Sequence, residues 1–295
     1  MCDYILSCCS TADLTEGMLK AIDVECVYFN YEIDGIACKD DFGRTHTSSD
    51  LFSRMLAGSD VKTSQVSMGD YIEFWRPFLE QGKSVLHVTL SSGISGTYQS
   101  ACMAAERCMK DYPGLKVVVV DSLAASSGYG LLVDKMAELR NGGMGIDELA
   151  AWAEEHRLEV QHWFFSTDLT FFIRGGRISK TAGFFGNMLK ICPLMSVEAD
   201  GSLAVKEKIR TKKKAAARVV ELMEQLADGR LDYDKKVFIS NSACLSDAEV
   251  VSELLEKKFA KIDGSVQHFD IGATIGCHTG PGTVAVFFWG DRRTA

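Results

Sequence analysis

Val85-Leu86-His87-Val88-Thr89-Leu90-Ser91-Ser92-Gly93-Ile94-Ser95-Gly96-Thr97-Tyr98-Gln99-Ser100-Ala101 reads as an apolar strand that breaks into a hydroxyl-rich turn and re-enters as a helix. A helix start leaves backbone N–H groups without partners and carries a partial positive charge, so small residues there can cradle a carboxylate or a phosphate. A Ser cap needs a single hydroxyl. From Ser91 to Ala101 there are two glycines and five Ser or Thr side chains, and the excess points to a ligand.

Working outward, the first half alternates apolar runs with helical patterns: Tyr4 to Ser7, a helix-like stretch after Asp13, Val24 to Phe29, Tyr71 to Leu79, Thr97 to Tyr112 and Leu115 to Val120. Such alternation predicts an α/β sheet with helices on both faces. Ligands of such sheets gather at the carboxyl ends of strands, and Leu90-Ser91-Ser92 and Val120-Asp121-Ser122 both run from strand into small polar residues. Helices are expected from Gly128 to Arg140 and from Ile146 to Leu158. After Val160 the texture changes to β-like runs at His162 to Phe165, Leu194 to Val197, Leu203 to Ile209, Val237 to Ser240, Val266 to Ile271 and Val284 to Trp289, broken by helical patterns at Lys212 to Leu226 and Asp247 to Phe259. The reading is an N-terminal α/β domain over residues 1–158 and a C-terminal α+β domain over residues 159–295.

The 295 residues are long for one hydrophobic core, and 46% apolar with 24% charged is ordinary globular composition. No apolar stretch reaches the roughly 20 residues that span a bilayer, and the N-terminus lacks a signal-peptide pattern, so a cytoplasmic protein is expected. A net charge of −8 argues against wrapping nucleic acid. The ten cysteines are dispersed without a C-x-x-C pair and are expected to be reduced, while the six histidines form no ligand spacing, so no metal and no cofactor are expected.

Five segments in order are distinctive: Ser10-Thr11-Ala12-Asp13-Leu14; Lys62-Thr63-Ser64-Gln65; the Ser-rich turn; Arg174-Gly175-Gly176-Arg177-Ile178-Ser179 leading to Gly186-Asn187-Met188-Leu189-Lys190-Ile191-Cys192-Pro193; and Ile275-Gly276-Cys277-His278-Thr279-Gly280-Pro281-Gly282. In this order and spacing the chain resembles the DegV family, the bacterial fatty acid-binding proteins, over essentially its whole length. The resemblance implies a three-layer α/β domain with a mostly parallel sheet, an α+β domain with a mostly antiparallel sheet, and a tunnel between them for one long-chain fatty acid. It also implies a carrier, not an enzyme, that presents the acid to a separate fatty acid kinase for phospholipid synthesis; a monomer is expected, exchanging its cargo through a partner or through transient contact at a membrane surface. Carried over residue by residue, the carboxylate ligands are Thr63, Ser95 and His278, with Ser92 and Arg177 beside them. The tail needs an apolar tunnel, and Phe164, Phe165, Phe171, Phe172, Phe184, Phe185, Met188, Leu189 and Ile191 crowd one region; the lining is expected from Ile94, Phe165, Phe172, Phe184, Met188 and Ile191. Two departures stand out: Cys9-Ser10 where the family opens with Asp-Ser, and Val66 where Pro follows Thr-Ser-Gln.

The residue chemistry is compatible with that implication. A carboxylate taken out of water must regain its hydrogen bonds, and hydroxyls with a helix N-terminus supply them. Lys206, Lys208, Arg210, Lys212, Lys213 and Lys214 make a basic run in an acidic chain, and with Arg177 they are a candidate docking surface, centred on Arg210 and Lys213, for the kinase or anionic lipid. A serine hydrolase is the rival reading. Ser95, Asp121 and His278 fall in the order nucleophile, acid, base, but Gly93-Ile94-Ser95-Gly96-Thr97 lacks the G-x-S-x-G spacing. No phosphate-loop G-x-x-x-x-G-K and no dinucleotide G-x-G-x-x-G after the first strand occurs.

Overall fold

The computed structural model describes residues 4–178 and 191–294. The chain enters as β1 (Tyr4–Cys9), followed by α1 (Glu16–Ala21) and β2 (Glu25–Val27). A small antiparallel unit comes next: β3 (Asn30–Ile33), β4 (Ile36–Lys39), α2 (Ser48–Leu56) and β5 (Val61–Ser64). Then follow α3 (Met68–Glu80), β6 (Ser84–Thr89), α4 (Thr97–Asp111), β7 (Val117–Asp121), α5 (Ser126–Asn141) and α6 (Ile146–His156). Strands β2, β1, β6 and β7 lie in that order in one parallel sheet, whose carboxyl ends include the Ser-rich turn after β6 and Asp121 at the end of β7.

The second half contributes β8 (Val160–Phe165), α7 (Thr170–Arg174), β9 (Cys192–Val197), β10 (Leu203–Ile209), α8 (Lys212–Leu226), β11 (Phe238–Asn241), α9 (Leu245–Lys258), β12 (Gln267–Asp270), α10 (Ala273–Thr279) and β13 (Val284–Trp289). These build a six-stranded sheet in the order β10-β9-β8-β13-β11-β12, antiparallel except for the β11–β12 pair. The architecture is α/β, as the alternation of elements implied, with the parallel sheet and the mostly antiparallel sheet that the resemblance implied and a third, three-stranded antiparallel sheet beside them.

Helix α5 joins the two sheets. It packs on β8, β11 and β13 and against the Ser10–Ala12 turn, and it is buried along most of its length. An all-round buried helix has no polar face to mark it. Among the described residues one continuous apolar core therefore runs from Leu6 and Val88 in the parallel sheet through Leu132 and Met136 to Phe238 and Phe288 in the other. A second, smaller core holds the β4-β3-β5 sheet and α2 through Tyr31, Ile33, Leu51, Phe52 and Met55, and it reaches across to Phe171 and Cys277. That unit did not emerge from the sequence pattern, yet it carries Thr63.

Candidate functional site

A cavity of about 250 Å³ lies where the Ser-rich turn, the small antiparallel unit and the inner face of the six-stranded sheet meet. Side chains alternate along a strand, so β5 turns Val61 and Thr63 inward and leaves Lys62 and Ser64 exposed. Thr63 Oγ1 and His278 Nε2 share a hydrogen bond of 2.7 Å, although the two residues are 215 positions apart. His278 sits in the last turn of α10, packed over Gly175: a Cβ built there would lie 2.3 Å from its Nδ1. Nδ1 is buried and has no partner among the described residues. Burial, and secondarily the nearby Arg177 guanidinium, push the imidazole down to about 4, so His278 is neutral at physiological pH.

Arg177 follows α7 and donates from Nη1 to the Gly175 carbonyl, one of the five N–H donors that a guanidinium carries. Burial lowers its basicity from the usual guanidinium value without discharging it. Among the described residues Arg177 is the only charged side chain on the cavity wall. The Ser-rich turn supplies Ser95, whose Oγ accepts from the Thr97 N–H at 3.2 Å just ahead of α4.

The remaining hydroxyls of that turn are spent elsewhere. Ser91 Oγ donates to the Gly201 carbonyl at 2.9 Å, Thr97 bonds the Tyr71 hydroxyl at 2.8 Å, and Ser100 accepts from Gln65 Nε2 at 2.7 Å. Gly93 is there for packing: a Cβ would come within 2.5 Å of the Gly201 backbone in the β9–β10 hairpin. Ser92 must be corrected as a carboxylate ligand, since it is exposed, does not line the cavity, and its N–H is bonded to Asp121 Oδ1 at 3.1 Å. The same carboxylate oxygen accepts from the Leu123 N–H, so Asp121 braces two turns, while His278 Nε2 is bonded to Thr63. The Ser95–Asp121–His278 relay of a hydrolase is not assembled.

Helix α10 is stapled at its other end by two buried carboxylates. Asp13 Oδ1 accepts from Gly272 N–H, and Asp40 accepts from the N–H groups of Ala273 and Thr274, each at 3.0 Å. Burial raises both carboxyls above the usual range, Asp13 well above it. Asp40 was invisible in the sequence; Asp13 lay in a quoted segment without an assigned role. At the Cys9 departure the thiol sits in a buried cluster with the Tyr71 hydroxyl at 3.4 Å and His87 Nε2 at 3.5 Å, away from the cavity.

The apolar wall comes chiefly from the six-stranded sheet. His162 and Phe164 of β8 and Ala285 and Phe287 of β13 share one face, because Phe164 pairs with Ala285 and His162 with Phe287. Phe172 of α7 stacks on Phe164 with ring centroids 6.0 Å apart, and Ile94 also lines the cavity. Phe165, expected in the lining, points to the other face of β8, and its neighbour Phe164, from the same apolar group, lines the cavity instead; Ile191, just before β9, does not line the cavity. Phe184 and Met188 lie outside the described residues. In the basic run, Lys206 is paired with Glu198 and Lys212 with Asp247, while Arg210, Lys213 and Lys214 are exposed around the Thr211 cap of α8.

Among the described residues no group of three or more His, Cys, Asp or Glu side chains could hold a metal ion, and no helix is long and apolar enough to cross a membrane. A family model described as "Uncharacterised protein, DegV family" matches residues 9–291. The chain belongs to the DegV family. A DegV domain-containing protein of Clostridium perfringens is 33% identical over 290 residues, which is 98% of each chain. Among solved DegV structures, a fatty acid-binding member from Thermus thermophilus superposes with a TM-score of 0.86 at 25% identity, over 98% of this chain and 99% of that one. A DegV lipid-binding protein from Thermotoga maritima gives 0.82 at 26% identity over the whole of both chains. Membership accounts for the order of the five segments. The DegV likeness also places the two sheets of this chain in a known arrangement.

Proposed function

We propose that this chain binds one long-chain fatty acid in the cavity, with its carboxylate at Thr63, Ser95, His278 and Arg177 and its tail along the inner face of the six-stranded sheet. The observation that carries the reading is Arg177, the only charged side chain on the cavity wall among the described residues, placed beside hydroxyls and a neutral imidazole. One positive charge with hydroxyl donors matches one carboxylate, and apolar walls match an alkyl chain. Burying about 14 methylenes at about 0.8 kcal/mol each gives on the order of 11 kcal/mol before ordering costs, so release is slow without a partner. The fatty acid- and lipid-binding descriptions of the Thermus and Thermotoga proteins support the same ligand class.

The chain acts in this reading as a carrier, with the chemistry done on the presented carboxylate by a fatty acid kinase. The exposed Arg210, Lys213 and Lys214 support a docking role for that partner. Native mass spectrometry of freshly purified protein tests the ligand: an added mass equal to one fatty acid is expected, and uniformly unliganded protein after incubation with palmitate refutes it. Reversing charge at Arg210 and Lys213 is expected to slow kinase-dependent phosphorylation of the bound acid; an unchanged rate removes the docking assignment.

A further inference from the structure

The row of cavity-lining side chains on the six-stranded sheet ends in two rings. Residues facing the cavity follow the alternation Thr283, just before β13, then Ala285 and Phe287 on it, and on β8 Phe164 and His162 lie opposite Ala285 and Phe287. The last pair, Phe287 and His162, are register partners whose rings meet edge to face at 5.2 Å, 2% and 1% exposed. His162 is fixed in that pose because its Nδ1–H donates to the Val160 carbonyl at 2.9 Å. Above the pair lies Gly128 of α5, so close that a Cβ would stand 2.3 Å from Phe287 Cδ1 and 2.4 Å from His162 Nε2. One step further along the same face of β13, Trp289 lines a separate outer groove of about 420 Å³ with Leu131 and Trp152.

We infer that Phe287 and His162, seated under Gly128, form the stop that sets the longest fatty acid tail this protein accepts, and separate the cavity from the groove at Trp289. The inference rests on the fatty acid reading above. The row from Thr283 to Phe287 spans about 13 Å at about 3.3 Å per strand residue, and the rings stand across its end. The stop is made of packed side chains and not of backbone, so trimming Phe287 lengthens the cavity toward Trp289. Gly128 has the complementary role: any side chain there displaces the rings.

The test is competition among saturated fatty acids from lauric to behenic acid, read by native mass spectrometry on the intact chain. Wild type is expected to show a sharp upper limit, since one methylene too many in a fixed pocket costs roughly 10–200-fold. Phe287→Ala should reduce discrimination against the first excluded acid by at least about tenfold. Phe287→Leu is the milder variant that decides the matter if Phe287→Ala does not fold. Val286→Ala, on the opposite face of the same strand, should leave the limit unchanged. Folded Phe287 variants that keep the wild-type limit overturn the stop and leave the fatty acid reading standing. A shift of the limit in Val286→Ala as large as in Phe287→Ala also overturns it. Wild type that takes up no fatty acid at all overturns both readings.

Discussion

Replacing Arg177 with Gln removes the only charge found on the described cavity wall while keeping a planar, hydrogen-bonding side chain. Two routes give the size of the effect. A hydrogen bond to a charged group contributes about 1.5–3 kcal/mol net. Unit charges about 6 Å apart at an effective dielectric of about 20 attract by about 3 kcal/mol. Both translate into a dissociation constant for palmitate roughly 10–150-fold higher in Arg177→Gln. The neutral analogue hexadecanol has no charge to lose, so its affinity should change by less than about threefold, within the range of an exposed-side substitution. Displacement of a fluorescent fatty acid at neutral pH measures both ligands in one format. Equal weakening of palmitate and hexadecanol, or no weakening of palmitate, refutes the assignment of Arg177 as the counter-charge.

Thr63→Val strips the hydroxyl from the Thr63–His278 pair and leaves Nε2 buried without a partner, at a cost of about 1–3 kcal/mol; chemical denaturation of the ligand-free protein should show it, together with weaker palmitate retention. Gly93→Ala drives a Cβ into the Gly201 backbone and should lower the denaturation midpoint by an amount equivalent to about 1–3 kcal/mol, with an unchanged m-value. The pH dependence of stability carries a signature of His278, whose folded value is pushed down to about 4. The unfolded imidazole takes up a proton near pH ~6.5, so the contribution is complete above that pH and disappears as pH falls toward the folded value. His278→Asn should flatten the stability curve between about pH 6.5 and 4 relative to wild type, and an unaltered slope contradicts a neutral buried imidazole.

The strands at Leu203–Ile209 and Val284–Trp289 and the helix at Lys212–Leu226 lie where the sequence places them, because long runs with turn signals at both ends leave little choice. The small antiparallel unit escaped notice for the opposite reason. Asn30-Tyr31-Glu32-Ile33 and Ile36-Ala37-Cys38-Lys39 are four-residue strands, too short for alternation to stand out, and their apolar side chains serve a separate minor core. Phe164 and Phe165 could not be told apart because Trp163-Phe164-Phe165 is apolar throughout, so the phase of the strand is undetermined until its partner β13 is known.

The pairing of Thr63 with His278 was brought into view only through resemblance. Nothing local in Lys62-Thr63-Ser64-Gln65 announces a bond to a histidine 215 positions away. Likewise Asp40 acquires its role only when the chain brings it under the start of α10. The Ser-rich turn shows the converse: its hydroxyls looked like a shared anion cradle, and most of them turned out to hold the turn to its neighbours, leaving Ser95 for the cavity.

Carbon NMR of carboxyl-labelled palmitate titrated with the protein addresses the head-group assignment most directly. A single bound resonance is expected, saturating at one equivalent, that stays ionised to lower pH than the free acid because Arg177 stands beside it, and that shifts in both Thr63→Val and Arg177→Gln. A carboxyl signal that titrates like free or micellar palmitate, or one indifferent to both substitutions, contradicts the account.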